Sequence, residues 1–495
     1  MPVANAADDI AQKQKQGSKL PWVVLNAAEP GKLRAPYFMT DDGRSWTPIG
    51  QNDAITWPEL NGLFRRRDVK TAERYLDTLA AHGVTVLRLM MEYSQFDSHC
   101  FEKPVGFFQP SMVRLWDDIF EMCDERGLRI LLTPFDTFWM WINWSRHPYN
   151  RANGGPCERR SSILLCPDTR KRIKDRLAFA AERWGASGAL FAWDLWNEIH
   201  PSCAENSAEC FADFIADLSE HVRNLELRRY GRSHPQTVSM FGPHLALDSR
   251  IPDAIFRHPL LDFASTHFYE EGAIDFPENT VEAALAVGRL IRGALRETAP
   301  DRPFFDSESG PIHTFKDHHI TLPEAFDDEY FRHMQWAHFA GGGAGGGMRW
   351  PNRNPHSLTP GMRLAQRSLA RFLPFIDWRS YRRRNLNDEV GVSNPNVRAV
   401  ASGDDSQALL WMVRTDATRE DGMLRRDVSP ARVELEIPGL KPADYRVVYW
   451  NTVDGEPAAE VDVSHAGDRL KIEAEVAGDL AIAITAKASA TADRD

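Results

Sequence analysis

Eight short, nearly continuous apolar runs recur along the first three quarters of the chain, with amphipathic stretches between most of them. The runs are WTPIGQN (46–52), VTVLRLMM (84–91), LRILLTPF (128–135), LFAWDLWNE (190–198), QTVSMFG (236–242), LDFASTHFY (261–269), PFFDSES (303–309) and AGGGMRW (344–350). Stretches of helical period fill 69–82, 111–126, 168–184, 207–230, 279–298 and 327–340. A strand without polar alternation is buried on both faces, the mark of a parallel sheet covered by helices. Eight such units predict a closed (β/α)8 TIM barrel, in the α/β class, rather than an open sheet. An open doubly wound sheet would need a glycine-rich phosphate turn after its first strand, and there is none.

Upstream of the barrel, Asp42-Gly43 reads as a hairpin turn between alternating segments. Past Trp378 the texture changes. The segments VRAVASGDD, QALLWMVRTD, RVELEIPG, DYRVVYWNTVDGE, LKIEAEV and DLAIAITA read as short alternating strands, giving a small C-terminal antiparallel β-sandwich. The expected organisation is a polar leader over 1–20, the barrel over 21–380, the sandwich over 385–488 and a tail over 489–495. The run GGGAGGG (341–347) is followed by no Lys-Ser or Lys-Thr, so it reads as a helix end entering a closely packed strand, not a phosphate loop.

Composition narrows the function. Hydrophobic residues at 43% and charged residues at 26% describe a globular chain. A net charge of −11 argues against a nucleic-acid partner, which calls for a basic face. No apolar run approaches the ~18 residues of a membrane span, and the N-terminus lacks the apolar core of a signal peptide. The expectation is a soluble protein, cytoplasmic or exported with its leader trimmed. Cys157/Cys166 and Cys203/Cys210 flank short segments that disulfides would close in an exported protein, and Cys123 lies in a helical pattern as a buried thiol. His313, His318, His319 and His333 lack a carboxylate-supported ligand spacing, so neither metal nor cofactor is expected. The chain carries fifteen tryptophans, thirteen of them at or before Trp378. An indole face stacks well on the apolar C–H face of a sugar ring.

In a barrel enzyme the active site lies at the C-terminal ends of the strands. Reading those ends gives Arg88 and Glu92, Asp136, Asn197 and Glu198, His244, His267 and Tyr269, Asp306 and Glu308, and Trp350. Asp194 and Asp306 read as packing or hydrogen-bonding residues, and Glu92 and His244 divide evenly between site and core. Two glutamates on separate strands fit retaining glycoside hydrolysis, in which one carboxyl protonates the leaving oxygen and the other attacks the anomeric carbon.

These residues carry a resemblance. WDLWNEIHP (193–201) resembles the acid/base segment of clan A glycoside hydrolases, and FFDSESGP (304–311) is similar to their nucleophile segment. Over about residues 37–375 the chain looks like glycoside hydrolase family 5, the cellulase-like group; the sandwich resembles the small accessory domains such enzymes often carry. The resemblance implies Glu198 as general acid/base and Glu308 as nucleophile. It implies Asn197 on the sugar 2-hydroxyl, Tyr269 and Arg88 on Glu308, His267 near the acid/base or substrate, and Trp350 under the sugar. Where the family pattern has a His near the end of strand 3, this chain has Pro134-Phe135-Asp136, and Asp136 is assigned to a sugar hydroxyl instead. Trp139, Trp141, Trp144, Trp196 and Trp350 are expected on the catalytic face, and Trp22, Trp116 and Trp184 in ordinary packing. The expected activity is metal-independent retaining hydrolysis of a β-linked oligo- or polysaccharide. The alternatives are a transglycosylase on the same site and a catalytically silent glycan-binding barrel. The sugar, the linkage and the oligomeric state stay open.

Overall fold

The computed structural model describes residues 18, 20–28, 30–95, 100–312 and 321–487, without the side chains of 65 and 66. The tail, nearly all of the leader and His313, His318 and His319 lie outside the described residues. β1 (Val23–Leu25), β2 (Phe38–Thr40) and β3 (Ser45–Trp46) form a small antiparallel sheet, with the Asp42-Gly43 turn between the last two. Gly43 sits at φ 91°, a backbone conformation that favours glycine. Phe38 and Trp46 from this sheet pack on Phe191, and Phe38 also on Phe263, plugging the N-terminal end of the barrel.

The barrel strands are β4 (Gly50–Asp53), β5 (Val86–Met90), β6 (Arg129–Thr133), β7 (Leu190–Asp194), β8 (Gln236–Thr237), β9 (Ala264–Phe268), β10 (Phe304–Ser309) and β11 (Met348–Arg349). Their order is β8-β7-β6-β5-β4-β11-β10-β9, every pairing parallel. Backbone bonds close the ring between β8 and β9, Asp262 N to Gln236 O at 2.9 Å and His267 N to Met240 O at 2.8 Å. All eight apolar runs therefore become barrel strands, and every residue of these strands is buried, which is why no polar alternation marks them.

Helices α1 (Pro58–Arg66), α2 (Val69–Ala81), α3 (Pro110–Arg126), α4 (Thr137–Ile142), α5 (Pro167–Trp184), α6 (Phe211–Tyr230), α7 (Thr280–Glu297), α8 (Glu324–Ala340) and α9 (Pro360–Phe372) follow the strands. Local chemistry sets their ends. Asp68 accepts from Thr71 N at 3.2 Å to start α2, and Asn279 accepts from Val281 N and Glu282 N to start α7. Proline opens α3 and α5 where a missing N–H costs nothing. The glycine run between α8 and β11 is structural: a Cβ on Gly343 would lie 2.1 Å from the His338 ring, and one on Gly345 2.1 Å from Pro48 O.

The C-terminal strands are β12 (Arg384–Asn385), β13 (Gly391–Val392), β14 (Val397–Gly403), β15 (Gln407–Arg414), β16 (Ala431–Pro438), β17 (Ala443–Asn451), β18 (Glu456–His465), β19 (Arg469–Val476) and β20 (Asp479–Ala486). They form sheets β12-β14-β15-β20-β17-β18 and β13-β16-β19, which enclose a second core around Leu410, Leu435, Val447 and Ile482. β18 escaped the sequence reading: nearly all of it is exposed, so no burial pattern betrays it. Trp411 and Trp450 join the main core against α8 and α9. All six cysteines are free thiols, so neither expected pair is bridged. Among the described residues no helix is long and apolar enough to cross a membrane.

Asp479, buried at the start of β20, ties these sheets to α8. It accepts from Trp411 Nε1 at 3.0 Å and from Arg426 and Thr452, and lies 3.8 Å from Arg332 and 3.5 Å from His333. Burial opposes its charge, but Arg426, Arg332 and His333 hold its carboxyl well below the usual range. Its stabilisation is present above the unfolded value near 3.8 and is lost as pH falls below that value. Asp479→Ala leaves Arg332 and Arg426 to share Glu329, at 3.3 and 3.6 Å, with Arg426 losing its nearer carboxylate, and is expected to destabilise by about 3 kcal/mol. Urea unfolding at pH 7 measures the loss.

Candidate active site

The C-terminal end of β7 runs into Leu195–Ile199, which neighbouring strand ends clamp from both sides. Asn197 N donates to Phe135 O at 2.8 Å, and Ser239 N to Trp196 O at 3.2 Å. This holds Glu198 at φ 48°, a left-handed conformation that costs a non-glycine residue on the order of 1 kcal/mol. Its N–H reaches Ser239 Oγ at 3.3 Å. Glu308 is placed by an irregularity on β10, where the pairing with β9 shifts between Asp306 and Glu308 and sets Glu308 opposite His267. Asp306 accepts from Phe268 N at 3.0 Å and Glu308 N at 3.2 Å, steadying that shift, in keeping with its expected structural role.

The two glutamates and His267 meet over the barrel mouth. One carboxylate oxygen from each glutamate and a ring nitrogen of His267 lie within 4.8 Å of one another. Glu198 Oε1 is 2.7 Å from His267 Nδ1, and Tyr269 donates its hydroxyl to Glu308 Oε1 at 2.9 Å. Arg88, fully buried, is the hub beneath. It donates to Glu308 Oε2 at 3.0 Å, Asp194 Oδ2 at 2.7 Å, Asn52 Oδ1 at 2.9 Å and Ser239 Oγ at 3.2 Å, and also to Asn197 Oδ1. Asn52 and Ser239 were absent from the sequence-derived site. Both sit at strand ends, but their role arises only where several strands converge.

Asp136 departs from its expected role. Its carboxylate caps α4, accepting from Phe138 N at 3.0 Å and Trp139 N at 3.2 Å, and takes Asn197 Nδ2 at 2.7 Å. Both oxygens are engaged and the residue is 1% exposed, so it orients Asn197 and the helix rather than reaching for a sugar hydroxyl. Glu92 falls on the core side: it is buried against Arg176 and, at 3.0 Å, His147.

Above this network opens a cleft of about 270 Å³, lined among others by Met90, Tyr93, Trp141, His244, Tyr269 and Trp350. Trp350 meets Trp57 edge to face at 4.9 Å. Trp139 does not line the cleft; it stacks on Tyr93 at 4.3 Å and supports that wall from behind. Trp196 is a correction. It is fully buried, stacked on Phe135 at 5.2 Å with its indole N–H on Thr137 Oγ1, and belongs to the core. Trp144 stacks on His147, outside the cleft lining.

Burial dominates the electrostatics. It pushes the Glu198 carboxyl up to about 7, with Arg88 opposing and Asp194 adding. It pushes His267 down to about 4, so the ring is neutral at pH 7. Glu308 is also raised, by burial and by the Glu198 charge, while His267, Arg88 and the Tyr269 hydroxyl act against the rise. The Glu198, His267 and Glu308 atoms stand close enough to ligate a cation, but the permanent charge of Arg88 at 3.0 Å from Glu308 opposes one.

The chain matches no family model and no curated protein sequence. Its fold is similar to solved structures over nearly its whole length. One, described as a glycoside hydrolase, is 14% identical with a TM-score of 0.58, covering 97% of this chain and 99% of that one. Another, a glycoside hydrolase family 5 structure from Bacteroides vulgatus, is 13% identical with a TM-score of 0.57, covering 96% of this chain and 95% of that one. At these identities the likeness is one of fold.

Proposed function

We propose that the protein is a retaining glycoside hydrolase acting on a β-linked substrate, with Glu198 as general acid/base and Glu308 as nucleophile. The observation that carries this reading is the pair of carboxylates, with one oxygen of each within 4.8 Å of one of the other, in unlike environments. Retaining enzymes space their carboxyl groups by about 5–5.5 Å, whereas inverting enzymes leave room for a water at about 6.5–9.5 Å. The asymmetry supports these roles. Glu308 has Arg88 and Tyr269 to stabilise its negative charge, while Glu198, raised to about 7, keeps its proton near neutrality.

In the first step Glu198 gives its proton to the glycosidic oxygen as the bond to the anomeric carbon breaks, and a Glu308 oxygen forms an ester with that carbon. Glu308 then carries no charge, so repulsion between the pair disappears and Glu198, now ionised, takes a proton from the water that cleaves the ester. Neutral His267 holds the Glu198 carboxyl through Nδ1. Asn197, fixed by Arg88 and Asp136, presents its remaining amide N–H toward the sugar. Trp350 and Tyr93 supply the ring face under it. The shared fold with glycoside hydrolase structures supports the same reading.

Because the acid must be protonated, kcat/KM is expected to fall as pH rises through about 7, and Glu198→Gln should remove that limb from the profile. The reading is tested by a panel of β-glucans, mannans, xylans and aryl β-glycosides, with the first-formed anomer followed by NMR. Hydrolysis with retention is expected; inversion, or no turnover of any glycoside, overturns it.

A further inference from the structure

Five rings run in contact along one wall of the cleft. Trp141 meets His200 at 5.1 Å, His200 meets His244 at 4.7 Å, His244 meets Phe241 at 4.7 Å, and Phe241 meets Tyr269 at 5.0 Å. The first four are half-buried and line the cleft, so each turns part of its surface to the space. His200 lies two residues beyond Glu198, the residue that protonates the leaving oxygen in the proposed mechanism, and the arc's far end, Tyr269, meets Glu308. Burial pushes His200 down to about 4 and His244 below its usual value, so both act as neutral rings at pH 7. Phe138, which also lines the cleft, is 46% exposed, and Ile142, one turn along α4, is 55% exposed.

The carboxylates and the amide of the cleft lie elsewhere. Among the described lining residues, Asp136, Asn197, Glu198 and Glu308 all belong to the cluster built around Arg88 and His267. A sugar in the leaving-group position would bring hydroxyls that lose water on entry and need donors and acceptors in return. The arc offers mainly ring faces: its hydrogen-bonding groups are the Trp141 indole N–H and the imidazoles of His244 and His200, whose Nδ1 is already held by Ser202, and it has no carboxylate, amide or cation.

We infer that the arc from Trp141 to Phe241 is the leaving-group subsite and that it selects β-glycosides whose aglycone is aromatic or otherwise apolar. This rests on the glycosidase reading and narrows its substrate class. The experiment compares benzyl and octyl β-glycosides with the disaccharide of the same glycon. Benzyl alcohol and octanol are weaker acids than a sugar hydroxyl, so leaving-group chemistry alone favours the disaccharide and works against the expected ranking. Wild type is expected to favour the benzyl and octyl glycosides at least tenfold in kcat/KM, in line with the discrimination apolar pockets achieve. Trp141→Ala and Phe241→Ala should each lower that ratio about tenfold, and two variants at different sites guard against one failing to fold. Equal or faster cleavage of the disaccharide by wild type, or an unchanged ratio in both folded variants, overturns the inference while leaving the glycosidase reading standing. Full activity in Glu308→Gln would overturn both.

Discussion

Glu308→Gln is expected to lower kcat on the order of 10⁴-fold or more on every substrate, with little change in stability. The amide has the shape of the carboxylate but cannot form the ester at the anomeric carbon. The expectation of near-normal folding is specific to this site. Arg88 would lose a partner at 3.0 Å but keep Asp194 at 2.7 Å, so its buried charge is not orphaned. Relief of the repulsion from Glu198 works in the same direction. Steady-state kinetics together with thermal unfolding separate the two effects. A variant that folds normally and retains more than a tenth of the rate would remove Glu308 from the chemistry.

The second large effect is at Glu198, and it depends on the leaving group. Glu198→Ala is expected to cost about 10²–10⁴-fold where the departing oxygen needs a proton, as in an alkyl glycoside or oligosaccharide. The first step should be far less affected with a nitrophenyl aglycone, which leaves without assistance, so the covalent intermediate accumulates. Azide needs no general base and fits the space the carboxylate vacates. It should restore turnover and yield a glycosyl azide of the same anomeric configuration as the substrate. Alanine retains the φ 48° conformation no more comfortably than glutamate, so the variant tests chemistry rather than strain. A loss equal for all leaving groups and insensitive to azide would contradict the acid/base role.

The barrel was legible because β5, β6, β7, β9 and β10 are buried along their whole length, leaving uninterrupted apolar runs between amphipathic helices. The two glutamates were legible for a related reason. A carboxylate at the end of such a run has no packing function to explain it, and strand ends in this fold converge. What stayed hidden depends on contacts across the barrel. Asn52 and Ser239 matter because Arg88 reaches from β5 to the ends of β4 and β8, and no local pattern reports that reach. Asp136 was given a sugar because its strand end faces the mouth, yet its carboxylate is satisfied by the start of α4 and by Asn197. Trp196 sits at a bend just past β7 and packs into the core against Phe135 and Phe214, a contact no local pattern reports. The upward shift at Glu308 was invisible because residue types announce Arg88 and Tyr269 but not the depth of burial that opposes them.

The proposed mechanism requires that Glu308 become covalently glycosylated, and that intermediate can be trapped. A 2-deoxy-2-fluoro β-glycoside with an activated leaving group, built on the sugar the activity panel identifies, slows the second step more than the first. Intact-mass measurement followed by peptide sequencing should find one sugar per chain, attached at Glu308. A label on another residue, or none under conditions where the ordinary glycoside is turned over, would remove Glu308 as the nucleophile.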